Sequence, residues 1–268
     1  MTEQSSVNAI IVFDIDGVIR DVSGSYRRAL ADTVEHFTDS QYRPTPVDID
    51  KLKSEGIWNN DWEASQELIF RYFGTLGKDR NQVQIDYQTI VTFFQSRYRG
   101  TDLNNWNGYI CDEPLLLHPK YLEDLTSSGI LWGFFSGATR GSANYVLERR
   151  LGFKAPVLVA MEDAPGKPDP TGLFETVRRL EAGNNTSNTV IYVGDTVADM
   201  YTVTKAREIE PQREFIGVGV LPPHVQKTPS RREAYAELLI NAGAEVVFCN
   251  VQDLTAARVA ALLTKTKL

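Results

Sequence analysis

Apolar residues along the chain follow two alternating rhythms. Ile10, Ile11, Val12 and Phe13 form a short unbroken run of β-branched and aromatic residues that stops at Asp14, the pattern of a strand buried on both faces of a parallel sheet. Similar runs at 130–135, 156–161, 189–193, 215–220 and 245–249 predict five more strands. Elsewhere apolar positions recur every three or four residues. Ala29, Leu30, Val34 and Phe37 do so within 25–37, and the same spacing predicts helices over 61–76 and 82–98, with Gly77 and Gly100 just beyond their ends. A shorter helical patch at 49–55 follows a proline-containing loop at 43–47. Further helices are predicted at 119–127, around Tyr145, Val146 and Leu147 up to Gly152, and at 171–180. A capping box from Ser230 to Glu233 opens another that ends before Gly243, and Asp253 is expected to cap the last.

Strands alternating with helices predict an α/β fold, a doubly wound parallel sheet covered on both faces. The helical block after the first strand is interposed in that pattern and, at roughly ninety residues, has the size of a small domain. The expected organisation is an α/β core of residues 1–20 and 116–268, with an inserted all-α domain at 21–115.

Composition adds few constraints and several exclusions. The 268 residues, 42% hydrophobic and 24% charged, have the make-up of a soluble globular protein long enough for two domains. A net charge of -7 argues against a nucleic-acid surface, which needs a basic face. An anionic substrate would have to be met locally, by a cation or by backbone N–H groups. Cys111 and Cys249 are too few and too far apart for a disulfide framework or a zinc site, which suits a reducing compartment. His36, His118 and His224 are too scattered for a histidine metal cluster. Residues 1–7 lack the basic flank of a signal peptide, and no apolar segment has the length of a membrane span. A cytoplasmic protein is expected.

Chemistry-bearing residues recur where the strands end. Asp14 and Asp16 follow the first strand; if the chain is still extended there, their side chains share one side, and like charges that close need a cation or a retained proton. Two solvated turn aspartates are the alternative. Ser136 and Gly137 follow the second strand, Lys167 lies past the third, and Asp195 and Asp199 follow the fourth. Singly these fit a helix N-cap turn, an exposed turn lysine, and a cap with a first-turn acid. Together, in order and each at a strand end, they are expected to converge on one edge of the sheet.

On these segments the chain resembles the haloacid dehalogenase superfamily of phosphohydrolases. The matching residues are Asp14-Ile15-Asp16-Gly17-Val18, Ser136-Gly137, Lys167-Pro168, and Gly194-Asp195 with Asp199. The helical block is similar to the cap of the phosphoglycolate phosphatase and β-phosphoglucomutase branch. The resemblance implies a Rossmann-like core and a Mg²⁺-dependent phosphatase acting on a small phosphomonoester. Asp14 would be the nucleophile and Asp16 the general acid and base. Mg²⁺ would be held by the Asp14 side chain, the Asp16 carbonyl and Asp195, with Asp199 a further ligand or an orienting group. Ser136, Gly137 and Lys167 would hold phosphate. Because Asp16 is present, carbon–halogen cleavage is disfavoured; a phosphomutase is the nearest alternative, and a non-catalytic binding or regulatory protein on the same scaffold is another. Lys51 and Lys53, the candidates for an imine-forming lysine, read as a solvated helix face. Candidates for leaving-group contacts are Arg20, Asp21 and Arg27, just after the first motif, and Trp58, Asn59 and Trp62, which would favour a sugar or polyol phosphate; the alternative for Trp58 and Trp62 is that they fill the core of the helical block. No nucleic-acid or membrane partner is expected.

Overall fold

In the computed structural model, which describes residues 9–58, 60–102, 104–182 and 186–265, the first apolar run is strand β1 (Ala9–Phe13), buried along its whole length. Its side chains alternate between faces. Ala9, Ile11 and Phe13 enter one apolar cluster, and Ile10 and Val12 enter another. β2 (Ile130–Phe135) and β4 (Thr189–Gly194) flank β1 in parallel. β3 (Leu158–Val159) lies outside β2, while β5 (Glu214–Val220) and β6 (Val246–Phe248) lie outside β4, giving a parallel sheet of order β3-β2-β1-β4-β5-β6. The chain therefore leaves β1 in one direction and later returns to its other side. That reversal opens a crevice beyond the carboxyl ends of β1 and β4, where such sheets bind ligands.

The chain divides into two compact units: Val22–Pro114, and the residues up to Asp21 together with those from Leu115 onward. The first is helical, with α1 (Tyr26–Phe37), α2 (Pro46–Lys53), α3 (Asp61–Thr75) and α4 (Tyr87–Tyr98). Their starts are set by local chemistry. Thr45 and Asp48 form a reciprocal capping box with Pro46 at the first helical position, and the Asn60 and Asp86 side chains cap α3 and α4. The predicted helix over 82–98 thus begins later, at the Asp86 cap, with a short 3₁₀ turn at Arg80–Gln82 before it.

In the α/β unit, α5 (Pro119–Ser127), α6 (Arg140–Asn144) with the π-helical turn Tyr145–Arg150 that continues it, α7 (Thr171–Glu181), α8 (Val197–Ile209), α9 (Pro229–Asn241) and α10 (Ala256–Lys265) complete the fold. Leu173 and Val177 of α7 and Val203 and Ala206 of α8 cover the Ile10/Val12 face. Leu122 of α5, Val146 and Leu147, and Val259 of α10 cover the other.

In the α/β unit three sequence expectations are corrected. The strand expected over 156–161 is only two residues long, because Pro156 offers no amide and the Met161 amide turns away to the Ala138 carbonyl. Thr228, not Ser230, caps α9, since its hydroxyl accepts from the Arg231 amide with Pro229 at the first position. Asp253 lies in a separate 3₁₀ turn, and the Thr255 hydroxyl accepts from the Arg258 amide at the start of α10. Among the described residues no helix is long and apolar enough to cross a membrane.

Candidate active site

Asp14 sits one residue past β1, and its amide donates to the Val193 carbonyl at 2.8 Å, which ties the end of β1 to β4. Its side chain is buried, as are those of Lys167 and Asp195; Asp199 is fully so. Lys167 Nζ stands between two carboxylates, 2.9 Å from Asp14 Oδ1 and 2.6 Å from Asp199 Oδ1. Carboxylate oxygens of Asp14, Asp195 and Asp199 lie within 4.8 Å of one another.

Two glycines permit this crowding. A Cβ on Gly17, whose φ is +75°, would fall 2.0 Å from Asp195 Oδ2, and a Cβ on Gly194 would fall 2.3 Å from that of Asp199. Only glycine takes that φ freely while leaving room for the carboxylate.

Thr196 starts α8 with a reciprocal capping box: its hydroxyl accepts from the Asp199 amide, and Asp199 Oδ2 accepts from the Thr196 amide at 2.9 Å and its hydroxyl at 2.6 Å. Asp199 Oδ1 takes Lys167 Nζ and the Tyr192 hydroxyl, the latter at 3.0 Å. Four donors fill a carboxylate's usual capacity. Asp199 is therefore occupied in holding Lys167, which leaves Asp14 and Asp195 as the open carboxylates. Tyr192 and Thr196 were not anticipated from sequence. The visible signs were a tyrosine hydroxyl within the apolar run 190–193 of β4 and, after it, the T-x-x-D spacing of a capping box.

Burial raises Asp14 to about 7, with Asp199 and Asp16 adding to the rise and Lys167 opposing it. Burial, helped by Asp199 and Asp14, likewise holds Asp195 well above the carboxylate range. For Lys167 burial favours the neutral form, but the paired carboxylates outweigh it and keep the ammonium charged. Asp14 and Asp195, the open carboxylates, present hard oxygen donors close together in a buried pocket, and a divalent cation would take the place of their protons, a set that fits Mg²⁺.

The Ser136 amide donates to the Val159 carbonyl, and its hydroxyl accepts from the Ala138 amide at 3.1 Å. Ser136 thus shapes its own turn, while Thr139 caps α6. The Ser136 loop is clasped to the loop leading to Lys167 by the Met161–Ala138 bond, by the Arg140 amide on Glu162 and by the Arg140–Asp163 ion pair.

The residues expected to contact a leaving group are placed differently from one another. Arg20 is fully buried, with its guanidinium on Asp16 rather than turned outward. Asp21 is half-buried. Arg27 pairs with Asp50 and donates to the Pro46 carbonyl. The Trp58 indole donates to Glu55, Trp62 is half-buried in the first turn of α3, and Asn59 lies outside the described residues. Lys51 is exposed, but Lys53 is half-buried and paired with Asp61 at 2.6 Å, so only Lys51 is on a solvated face.

Residues 9–206 match the family model described as haloacid dehalogenase-like hydrolase. The chain belongs to this family. Among solved structures, the chain is similar to the phosphatase Tt82 of Thermococcus thioreducens, at 27% identity and a TM-score of 0.59 over 78% of this chain and 92% of that one. It shares its fold with a phosphonoacetaldehyde hydrolase-like protein of Oleispira antarctica (18% identity, TM-score 0.68, 98% and 94% of the two chains). It also shares it with a β-phosphoglucomutase of Clostridium difficile (15% identity, TM-score 0.58, 97% and 98%). A protein of Phytophthora nicotianae named imidazoleglycerol-phosphate dehydratase is 30% identical over 254 residues, which are 91% of this chain and 50% of that protein. The chain thus spans about half the length of this curated relative.

Proposed function

We propose that this hydrolase is a Mg²⁺-dependent phosphatase that acts on a small phosphomonoester through an aspartyl-phosphate on Asp14. The observation that carries the reading is the Asp14–Lys167–Asp199 array, buried beside Asp195 at the strand ends where the sheet reverses direction. Asp14 and Asp195, with the Asp16 carbonyl, would hold Mg²⁺, and the bound ion supplies charge neutralisation for the phosphoryl group.

Asp14 attacks phosphorus in line, and the P–O bond to the leaving group breaks as Asp16 gives that oxygen its proton. Asp16, now a carboxylate, takes a proton from water. The resulting hydroxide displaces Asp14, releasing orthophosphate. Lys167 is fixed by Asp199 and faces the charge that develops on the transferring group, while the Ser136 hydroxyl and the Gly137 amide donate to its oxygens.

A phosphate-release screen with Mg²⁺ and with chelator tests this. The panel includes sugar and polyol phosphates, and the name of the Phytophthora relative adds phosphomonoesters that bear an imidazole. Release is expected with Mg²⁺ only, and Asp14→Asn is expected to abolish it while the protein stays folded. Turnover by D14N near the wild-type rate would remove the nucleophile assignment. Conversion of a hexose phosphate to its isomer, with bisphosphate activation and no free phosphate, would instead indicate a mutase.

A further inference from the structure

Arg20 is the largest fully buried side chain among the described residues. Its neighbours in sequence, Ile15, Val18 and Ile19, are all buried and apolar, so an aliphatic residue would complete this surface without desolvating a charge. Burying an arginine is costly unless the charge is matched. Asp16 supplies matching charge: Arg20 Nε donates to Asp16 Oδ1 at 2.6 Å, and Nη2 lies 2.6 Å from the same oxygen. The backbone holds this geometry from both sides. Gly17 N–H donates to the Arg20 carbonyl at 2.9 Å, Leu116 N–H donates to the Ile19 carbonyl at 2.8 Å, and Arg20 bridges Leu115 in antiparallel fashion. The Asp16 side chain itself remains a quarter exposed.

We propose that Arg20 is a positioning residue for the reaction: its guanidinium fixes Oδ1 of Asp16 so that Oδ2 carries the proton delivered to the leaving oxygen. The inference rests on the phosphatase reading and adds to it a residue that holds the acid in place. In the step concerned, the Asp16 Oδ2–H bond breaks as its proton passes to the ester oxygen, and the electron pair of the breaking P–O bond stays on that oxygen. Misplacing a reacting group by about 1 Å costs on the order of a hundredfold. The loss is confined to substrates that need the proton. An alkoxide is a poor leaving group and requires it, whereas p-nitrophenolate departs as the anion.

The test compares kcat/KM, which reports the phosphorylation step, for an alkyl phosphomonoester that the wild type hydrolyses and for p-nitrophenyl phosphate, in wild type, Arg20→Met and Arg20→Lys. For R20M the alkyl ester is expected to lose about 10- to 100-fold and the aryl ester little, with R20K between R20M and wild type on the alkyl ester. Equal losses on both esters, or no loss, would overturn the assignment, since general damage to the site does not distinguish leaving groups. If thermal melting shows that R20M does not fold, R20K carries the comparison on the same terms: selective loss supports the assignment, and uniform or absent loss overturns it. A wild type inert toward both esters would remove the phosphatase reading and this inference with it, which is distinct from an active wild type with uniform losses.

Discussion

At the scale of single residues, the site is a problem in charge. Asp14, raised to about 7 chiefly by burial, keeps its proton in the folded state at pH values where the unfolded chain has lost it. A folded state that binds more protons loses stability as pH rises. The chelator-treated protein should therefore be destabilised by Asp14 progressively from the ordinary carboxylate range up to about pH 7, with no further change above. Thermal melts of wild type and D14N across that range isolate the contribution: wild type should lose melting temperature relative to D14N as pH increases. Since a cation competes with the proton, Mg²⁺ should raise the melting temperature of wild type more at pH 7 than at pH 5. A difference between the two proteins that is flat with pH would contradict the placement of Asp14.

At the scale of elements, the first turn of α8 decides what each acid does. Asp195 precedes the helix and stays open, whereas the capping box with Thr196 turns Asp199 inward onto Lys167 and Tyr192. Asp195→Asn is expected to raise the Mg²⁺ concentration for half-maximal activity about tenfold or more. Asp199→Asn should lower kcat with Mg²⁺ half-saturation near that of wild type, because it loosens the lysine and not the metal. Metal titrations of activity decide the point, and a D199N shift as large as that of D195N would make Asp199 a ligand. Much of this was legible in the sequence. β1 and β4 bury both faces, so their apolar runs have no polar interruption to blur their ends, and the acids that follow mark the strand termini. The caps of α9 and α10 were not, because several hydroxyls and carboxylates compete within a few residues and local proline and turn geometry selects among them. The Arg20–Asp16 pair was equally hidden: an arginine four residues from an aspartate ordinarily reads as a solvated pair, and only the backbone bridges of this loop bury it. The grip of Tyr192 on Asp199 depends on strand register and on the position of α8, neither of which periodicity reveals.

At the scale of the whole molecule, the α/β unit is assembled from two stretches of chain separated in sequence by the helical unit. Among the described residues its apolar clusters around β1, β4 and α8 are built from residues before Val22 or after Pro114, so this unit has a hydrophobic core of its own. The two stretches also meet at the points where the helical unit departs and returns. Arg20 bridges Leu115 in antiparallel fashion, and the Leu116 amide reaches the Ile19 carbonyl. Directly paired antiparallel residues have Cα atoms about 4.5–5.5 Å apart, a span that a few glycines close without strain. The helical unit carries a similar closure, a buried hydrogen bond from Ser25 to Glu113 near its two ends. Replacing Val22–Pro114 by a short Gly-Ser linker should therefore yield an α/β unit that melts cooperatively and is stabilised by Mg²⁺, because Asp14, Lys167, Asp195 and Asp199 all belong to it. Calorimetry with Mg²⁺ and with chelator checks both parts. A broad, non-cooperative transition would mean that the sheet depends on the helices for its core, and cooperative melting without a Mg²⁺ shift would mean that Asp14, Asp195 and the Asp16 carbonyl do not suffice to hold the ion.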